Sequence, residues 1–242
     1  MRKNIPQNAV AKDYKGVINS FTEQLVEAEK DNIISIFLQG SFARGEATDN
    51  SDLDIWCVFK TLNTETLAKI GIITENLPIN YNQFELNSQC ITFDEFNSGH
   101  FLNSFSYAIL YFEAVLLWGE DILTKAVQDE DIEKTYKQFS AEVLLGIRHY
   151  ITVNEPSEKL TYQKIKTWIL KPLMFALRLE RYLYTKQYHV TNNDLLKAYY
   201  DPPTSIMYFM NKEKWDNDIQ NNRNTTLHCL HDEIENLLTR PK

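Results

Sequence analysis

Several features that would mark a specialised class of protein are scarce or absent in this chain of 242 residues. Only three cysteines occur, Cys57, Cys90 and Cys229, and they are widely spaced. This usage argues against a disulfide scaffold or a cysteine-based metal site, and it indicates reduced thiols. No apolar run approaches 18 residues, and the first residues lack the apolar core of a signal peptide. We therefore expect a cytoplasmic protein without a membrane-spanning segment.

Positive charge is also in short supply. The chain has 25 basic and 33 acidic residues, which gives a formal net charge of −8. A dedicated nucleic-acid-binding protein carries a basic face, so nucleic acid is not expected as a partner. The balance is compatible with a cationic small substrate or a basic protein partner. Hydrophobic residues make up 43% and charged residues 24%, which is ordinary for a globular protein with one large domain or two modest ones.

The first half of the chain alternates between helix and strand patterns. Apolar spacing predicts helices at about 13–30, 63–77 and 103–117, one helical turn at 41–45, and strands at 33–39, 53–59 and 79–93. Gly119 is interpreted as the residue that stops the last of these helices. The order of elements indicates a small mixed β-sheet with flanking helices.

After residue 129 no strand is predicted. Four helices are expected, at about 130–152, 157–187, 191–200 and 216–239, with a kink or break at Pro172. Nine of the thirteen tyrosines follow residue 130, so the composition changes with the pattern. We therefore expect an α+β fold of two domains: a mixed-sheet domain at residues 1–125 and an all-α helical bundle at residues 126–242.

The block GSFARGEATDNSDLD joins the first two strands and contains a possible anion site. Gly40 has no Cβ, so a ligand can approach its backbone closely. Ser41 begins the predicted helical turn and offers a hydroxyl and backbone N–H groups to an anion. Arg44 could add a charge-assisted contact to the same anion.

The same block ends with two carboxylates, Asp52 and Asp54, at alternate positions of a strand. Their side chains therefore point to the same face. Two adjacent carboxylates repel and are seldom placed together without a cation, and a hard divalent ion such as Mg²⁺ fits that role. A phosphate cradle beside a carboxylate pair suits metal-assisted phosphoryl or nucleotidyl transfer.

This block resembles the GSxxxG…SDxD signature of the nucleotidyltransferase superfamily that includes DNA polymerase β. The match is close across the block, and the element order fits over about residues 13–125. The resemblance implies that Gly40 and Ser41 bind the phosphates of a nucleoside triphosphate such as ATP. It also implies that Asp52 and Asp54 hold two Mg²⁺ ions.

In that family a third carboxylate on a neighbouring strand completes the metal site or acts as general base. Glu85 is the first choice because strand alternation places it with Gln83 and Asn87, opposite Phe84 and Leu86. Whether Glu85 would be a metal ligand, a base or both stays open. Asp94 is the alternative, although it lies past the predicted end of the strand.

The layout of a sheet domain followed by a helical bundle resembles the aminoglycoside and related antibiotic nucleotidyltransferases. In those enzymes the substrate lies in the cleft between the domains. Lys171, before Pro172, is the first choice for a contact with the nucleotide phosphates. Other candidates in the helical half are Lys164, Arg178 and Arg181 for phosphate, Glu142 for a cationic amino sugar, and Trp168, Tyr182 and Tyr184 for a sugar or base.

The leading hypothesis is a Mg²⁺-dependent enzyme that transfers a nucleoside monophosphate to a hydroxyl of a small molecule, with AMP from ATP as the expected group. An aminoglycoside-like antibiotic is the expected type of acceptor, as in antibiotic resistance. One alternative is an antitoxin-type enzyme that AMPylates a protein. Another is a catalytically silent nucleotide-binding module. The oligomeric state stays open.

Overall fold

The computed structural model describes most of the chain, namely residues 4–8, 13–77, 85–98, 105–123, 127–153, 159–199 and 202–239. Contacts between residues divide the chain into two units, Met1–Val127 and Gln128–Lys242. The predicted division lies after residue 125. The predicted fold class, an α+β region followed by an all-α region, is confirmed. No helix among the described residues has both the length and the apolar character needed to cross a membrane.

The first unit contains four strands and five helices within the residues that the structure describes. They are α1 (Tyr14–Glu29), β1 (Ile33–Gln39), α2 (Gly40–Arg44), β2 (Leu53–Phe59), α3 (Thr64–Glu75), β3 (Leu86–Thr92), α4 (Phe93–Asn97), α5 (Phe105–Glu113) and β4 (Val115–Gly119). Asp13 and Asn63 cap α1 and α3 by accepting hydrogen bonds from backbone N–H groups. The strands β1 and β2 are short apolar runs between polar turns.

The four strands form one mixed sheet in the order β3-β2-β1-β4. β1 pairs antiparallel with β2 and β4, whereas β2 and β3 are parallel. Alternate residues of β1 and β2 enter two apolar clusters on opposite faces of the sheet. One cluster includes residues of α1 and α3, and the other includes residues of α4 and α5.

The prediction of a helix over residues 103–117 is wrong at its end. The helix α5 stops at Glu113, and Val115–Gly119 forms β4 at the edge of the sheet. Gly119 is the last residue of this strand and not a helix stop. It has a φ of +87°, and a Cβ there would overlap the backbone of Ile34 on β1. The pairing with β1 decides the conformation of an apolar run that is compatible with either element.

The strand predicted at 79–93 is present from Leu86 to Thr92, and residues 78–84 lie outside the described part of the chain. Among the described residues, two short helices were not predicted. One is α4, which follows β3 directly and begins with a capping box between Thr92 and Glu95. The other is Thr204–Met210 in the second unit.

Among its described residues, the second unit consists of helices and the turns that connect them, with no strand. Its helices are α6 (Asp129–Thr152), α7 (Tyr162–Ile165), α8 (Lys171–Thr185), α9 (Asn192–Lys197), α10 (Thr204–Met210) and α11 (Lys212–Thr239). A π-helical segment, Lys166–Leu170, joins α7 to α8 and ends two residues before Pro172. Proline has no N–H and its ring crowds the preceding turn, which explains why the predicted irregularity lies there. A second irregularity interrupts α11 at Asn222.

Candidate active site

Gly40 connects β1 to α2 at the centre of the candidate site. Its φ of +74° lies in the left-handed region that favours glycine. A Cβ at this position would overlap Oδ2 of Asp54. The missing side chain therefore lets the start of α2 lie directly against one oxygen of the Asp54 carboxylate. Ser41 follows as the second residue of α2 and is half-buried.

Asp54 is the middle member of a row of polar residues across three strands. Its Cα is paired with Gln39 on β1 and with Asn87 on β3. Paired residues of neighbouring strands project from the same face, so the three side chains share one face of the sheet. Asn87 Nδ2 donates a hydrogen bond to Asp54 Oδ1 at 3.1 Å. Trp56, two residues along β2, donates from its indole Nε1 to Gln39 Oε1 at 2.5 Å.

Asp52 and Glu85 stand one step beyond this row. The backbone N–H of Leu53 donates to the carbonyl oxygen of Glu85 at 2.8 Å, and Leu53 is paired with Leu86. Glu85 and Asn87 are exposed and Leu86 is partly buried, in agreement with the predicted alternation. Continued for one residue, this pairing places Asp52 and Glu85 on the face that carries Asp54.

The structure does not gather the three predicted carboxylates into one cluster. Among the described residues, no three His, Cys, Asp or Glu side chains are arranged to hold a metal ion together. The role of Glu85 as the third carboxylate stays a prediction. The alternative, Asp94, lies in the first turn of α4, past the end of β3 as expected.

The paired carboxylates nevertheless suit Mg²⁺. This ion keeps several water molecules and is usually bound through one or two carboxylates together with substrate phosphates, so it needs no complete protein cage. Asp52 and Asp54 supply two oxygen donors from one face, and one oxygen of Asp54 lies directly against the Cβ-free backbone at the start of α2. The donor set thus fits a magnesium–triphosphate complex.

Arg44 lies at the end of α2 and contacts two carboxylates. Its Nε is 3.0 Å from Glu46 Oε2, and its Nη1 is 2.8 Å from Glu113 Oε2 at the end of α5. Burial opposes the charged form of Arg44, but the charges of Glu113 and Glu46 outweigh it and raise the pKa of the guanidinium. Arg44 therefore ties α2 to α5, and its predicted contact with a phosphate stays a prediction.

Lys171 is the exposed first residue of α8 and belongs to the second unit. Its backbone N–H donates to the carbonyl oxygen of Lys166, five residues earlier, at the end of the π-helical segment. Burial of Lys166, together with the charge of Lys171, lowers the pKa of Lys166. The predicted contact between Lys171 and the nucleotide stays a prediction.

Comparison with known families decides the classification. The family model for the nucleotidyltransferase domain matches residues 18–166, which is more than half of the chain. The chain belongs to this family. It is a nucleotidyltransferase enzyme by family, and its resemblance to antibiotic nucleotidyltransferases is confirmed at the level of fold.

Among solved structures, the chain is similar to spectinomycin adenyltransferase AAD(9) from Enterococcus faecialis, crystallised with ATP and spectinomycin. The sequence identity is 15%, the TM-score is 0.54, and the match covers 92% of this chain and 99% of that one. An inferred nucleotidyltransferase from Sulfolobus solfataricus matches 47% of this chain and 96% of its own, with 20% identity and a TM-score of 0.24. No curated protein sequence matches the chain significantly.

Two side chains beside Asp54, those of Asn87 and Gln39, were not predicted from the sequence to belong to the site. Asn87 was placed on the polar face of its strand, but its contact with Asp54 depends on the register of β2 and β3, which are joined by a long connection. Gln39 directly precedes Gly40 at the end of a strand whose other residues, apart from Ser35, are apolar. A polar residue at that position of a buried strand is the signal that could have drawn attention to it.

Proposed function

We propose that this nucleotidyltransferase catalyses the Mg²⁺-dependent transfer of AMP from ATP to a hydroxyl group of a small aminoglycoside-like molecule. The observation that supports it best is the pair Asp52 and Asp54 on one face, with Asp54 packed against the Cβ-free backbone of Gly40. Carboxylates beside a close backbone approach suit a triphosphate that arrives with a divalent cation.

Each residue has a distinct role in this proposal. Gly40 and Ser41 bind the triphosphate through backbone N–H groups and a hydroxyl. Asp52 and Asp54 hold Mg²⁺, which when bound neutralises phosphate charge and lowers the pKa of the acceptor hydroxyl. Glu85 accepts the proton of that hydroxyl. Lys171 contacts the departing phosphates.

The reaction balances without any further reactant. The acceptor oxygen forms a bond to the α-phosphorus, the bond from that phosphorus to the bridging oxygen of the β-phosphate breaks, and pyrophosphate leaves. The acceptor proton passes to the Glu85 carboxylate and from there to solvent. ATP supplies the transferred group.

Two observations support this type of acceptor. Spectinomycin adenyltransferase shares the fold over nearly its whole length, and it was crystallised with ATP and spectinomycin. The net charge of −8 also favours a cationic acceptor, which amino sugars provide.

The test is an assay with labelled ATP, Mg²⁺ and a panel of aminoglycosides, spectinomycin and lincosamides. We expect pyrophosphate release that depends on an acceptor. Asp52→Asn and Asp54→Asn should each lower turnover by about 100-fold or more, because several kcal/mol of charge stabilisation is lost. Their melting temperatures should not fall, since each change removes one of two repelling carboxylates.

Asp49→Asn is the matched control. Asp49 lies in the same connection between α2 and β2 but is exposed, and its substitution should leave turnover unchanged. Full activity of either the Asp52 or the Asp54 variant would refute the assignment. Label from ATP that appears on a protein, with no small acceptor modified, would replace the small-molecule acceptor by a protein acceptor.

A further inference from the structure

Asn87 on β3 donates a hydrogen bond to the carboxylate of Asp54 on β2. Its Nδ2 lies 3.1 Å from Asp54 Oδ1. The amide nitrogen must face the carboxylate, because only the nitrogen end of an asparagine side chain can donate a hydrogen bond and an ionised carboxylate can only accept one. The bond links the starts of β3 and β2 across a parallel pair in register.

The other oxygen of the same carboxylate has a different neighbour. Oδ2 of Asp54 is the atom nearest to the place where a Cβ of residue 40 would stand. The carboxylate plane is therefore held on one side by an amide donor and faces the backbone of Gly40 on the other. Since a carboxyl group rotates readily about its last bond, the hydrogen bond from Asn87 fixes the plane of the carboxylate, with one oxygen on Asn87 and the other towards α2.

Gln39, the other amide in the row, is engaged elsewhere. Its Oε1 accepts the indole N–H of Trp56, which is buried in the apolar cluster beneath α4 and α5. Asn87 by contrast is exposed, and its bond to Asp54 crosses from one strand to the next. The two amides that flank Asp54 thus have different partners.

We propose that Asn87 is a positioning residue of the nucleotidyl-transfer site, which orients Asp54 so that Oδ2 is presented to a divalent cation beside Gly40. The proposal rests on the proposed function, because it requires Asp54 to be a metal ligand. Groups that hydrogen-bond to metal ligands fix their orientation, and their loss commonly costs 10–100-fold in metal affinity or activity.

The test compares Asn87→Leu with Gln89→Leu. Both changes replace an exposed amide by leucine on the same face of β3, two residues apart, and it is Asn87 that bonds to Asp54. The first measurement is the affinity for Mn²⁺, from the electron paramagnetic resonance signal of free Mn²⁺, with α,β-methylene-ATP present. We expect the Asn87 variant to bind Mn²⁺ roughly 10-fold more weakly. Gln89→Leu should bind it as the wild type does.

The second measurement is turnover against Mg²⁺ concentration. The Asn87 variant should need more Mg²⁺ for half-maximal activity and recover part of its turnover when Mg²⁺ is raised. A merely structural role would lower the melting temperature and would not be relieved by Mg²⁺. Mn²⁺ affinity and Mg²⁺ dependence equal to those of the wild type would overturn the proposal while the proposed function stands. A wild-type protein that neither binds Mn²⁺ nor releases pyrophosphate would instead overturn the proposed function.

Discussion

Among single residues, Gly40 meets two demands that are independent of each other. Its positive φ is a conformation that asparagine or aspartate can also adopt in a turn. The overlap that any Cβ would make with Asp54 Oδ2 concerns space, and neither of those residues could avoid it. Glycine is therefore required here by the closeness of α2 to the carboxylate and not by the turn alone.

Two variants can decide whether Glu85 or Asp94 is the third carboxylate of the site. We expect Glu85→Gln to lower turnover by about 100-fold with little change in KM for ATP, because a general base contributes typically 10²–10⁴-fold. Asp94→Asn should retain full turnover, since Asp94 lies in α4 past the end of β3. The measurement is steady-state kinetics with saturating acceptor. A loss confined to the Asp94 variant would reverse the assignment.

Between elements, the contact from Arg44 to Glu113 predicts a stability effect. The Glu113 side chain is fully buried at 0% exposure, whereas Glu46 is 18% exposed. Glu113→Gln should therefore lower the free energy of unfolding by about 2–3 kcal/mol, because it leaves a buried guanidinium with one charged partner fewer. Glu46→Gln should cost about 1 kcal/mol or less. Urea unfolding of both variants measures the difference.

Arg44 has two possible roles, the contact with Glu113 that ties α2 to α5 and a contact with phosphate, and a double variant distinguishes them. In a double variant, Arg44→Met with Glu113→Leu, apolar side chains replace the buried pair, which often restores stability. If Arg44 only ties α2 to α5, this double variant should be about as stable as the wild type and should bind ATP with the same affinity. A stable double variant that binds ATP about 10-fold or more weakly would show that the guanidinium also contacts phosphate.

The elements differ in how far the sequence predicts them. β1, α2 and β2 agree with prediction because local signals define them: two apolar runs separated by a glycine and polar turn residues. The residues Val115–Gly119 carry no such local signal, since their conformation depends on pairing with β1, which lies far earlier in the chain. In the candidate site, the sequence block 40–54 was sufficient to predict Gly40, Asp52 and Asp54. The bond from Asn87 to Asp54 required the register between β2 and β3.

For the whole molecule, the division into two units raises the question of which unit the nucleotide stabilises. Gly40, Asp52 and Asp54 all lie in the first unit, and Lys171 lies in the second. A ligand that binds only the folded protein stabilises it by about 2.7 kcal/mol at 100 times its Kd. We expect MgATP at this level to raise the melting temperature by roughly 5–10 °C, and excess chelator to remove most of the rise.

Lys171→Ala tests the contribution of the second unit to this stabilisation. If Lys171 contacts the phosphates, its loss should weaken MgATP binding by about 10-fold and reduce the stabilisation at the same MgATP concentration by about 1.4 kcal/mol. Lys197→Ala is the matched control, an exposed lysine on α9 of the same unit, and it should respond to MgATP as the wild type does. Differential scanning calorimetry gives both shifts. A contact that forms only in the bound state must contribute to the increase in stability that MgATP causes. Equal shifts in the two variants would therefore show that the first unit binds the nucleotide without Lys171.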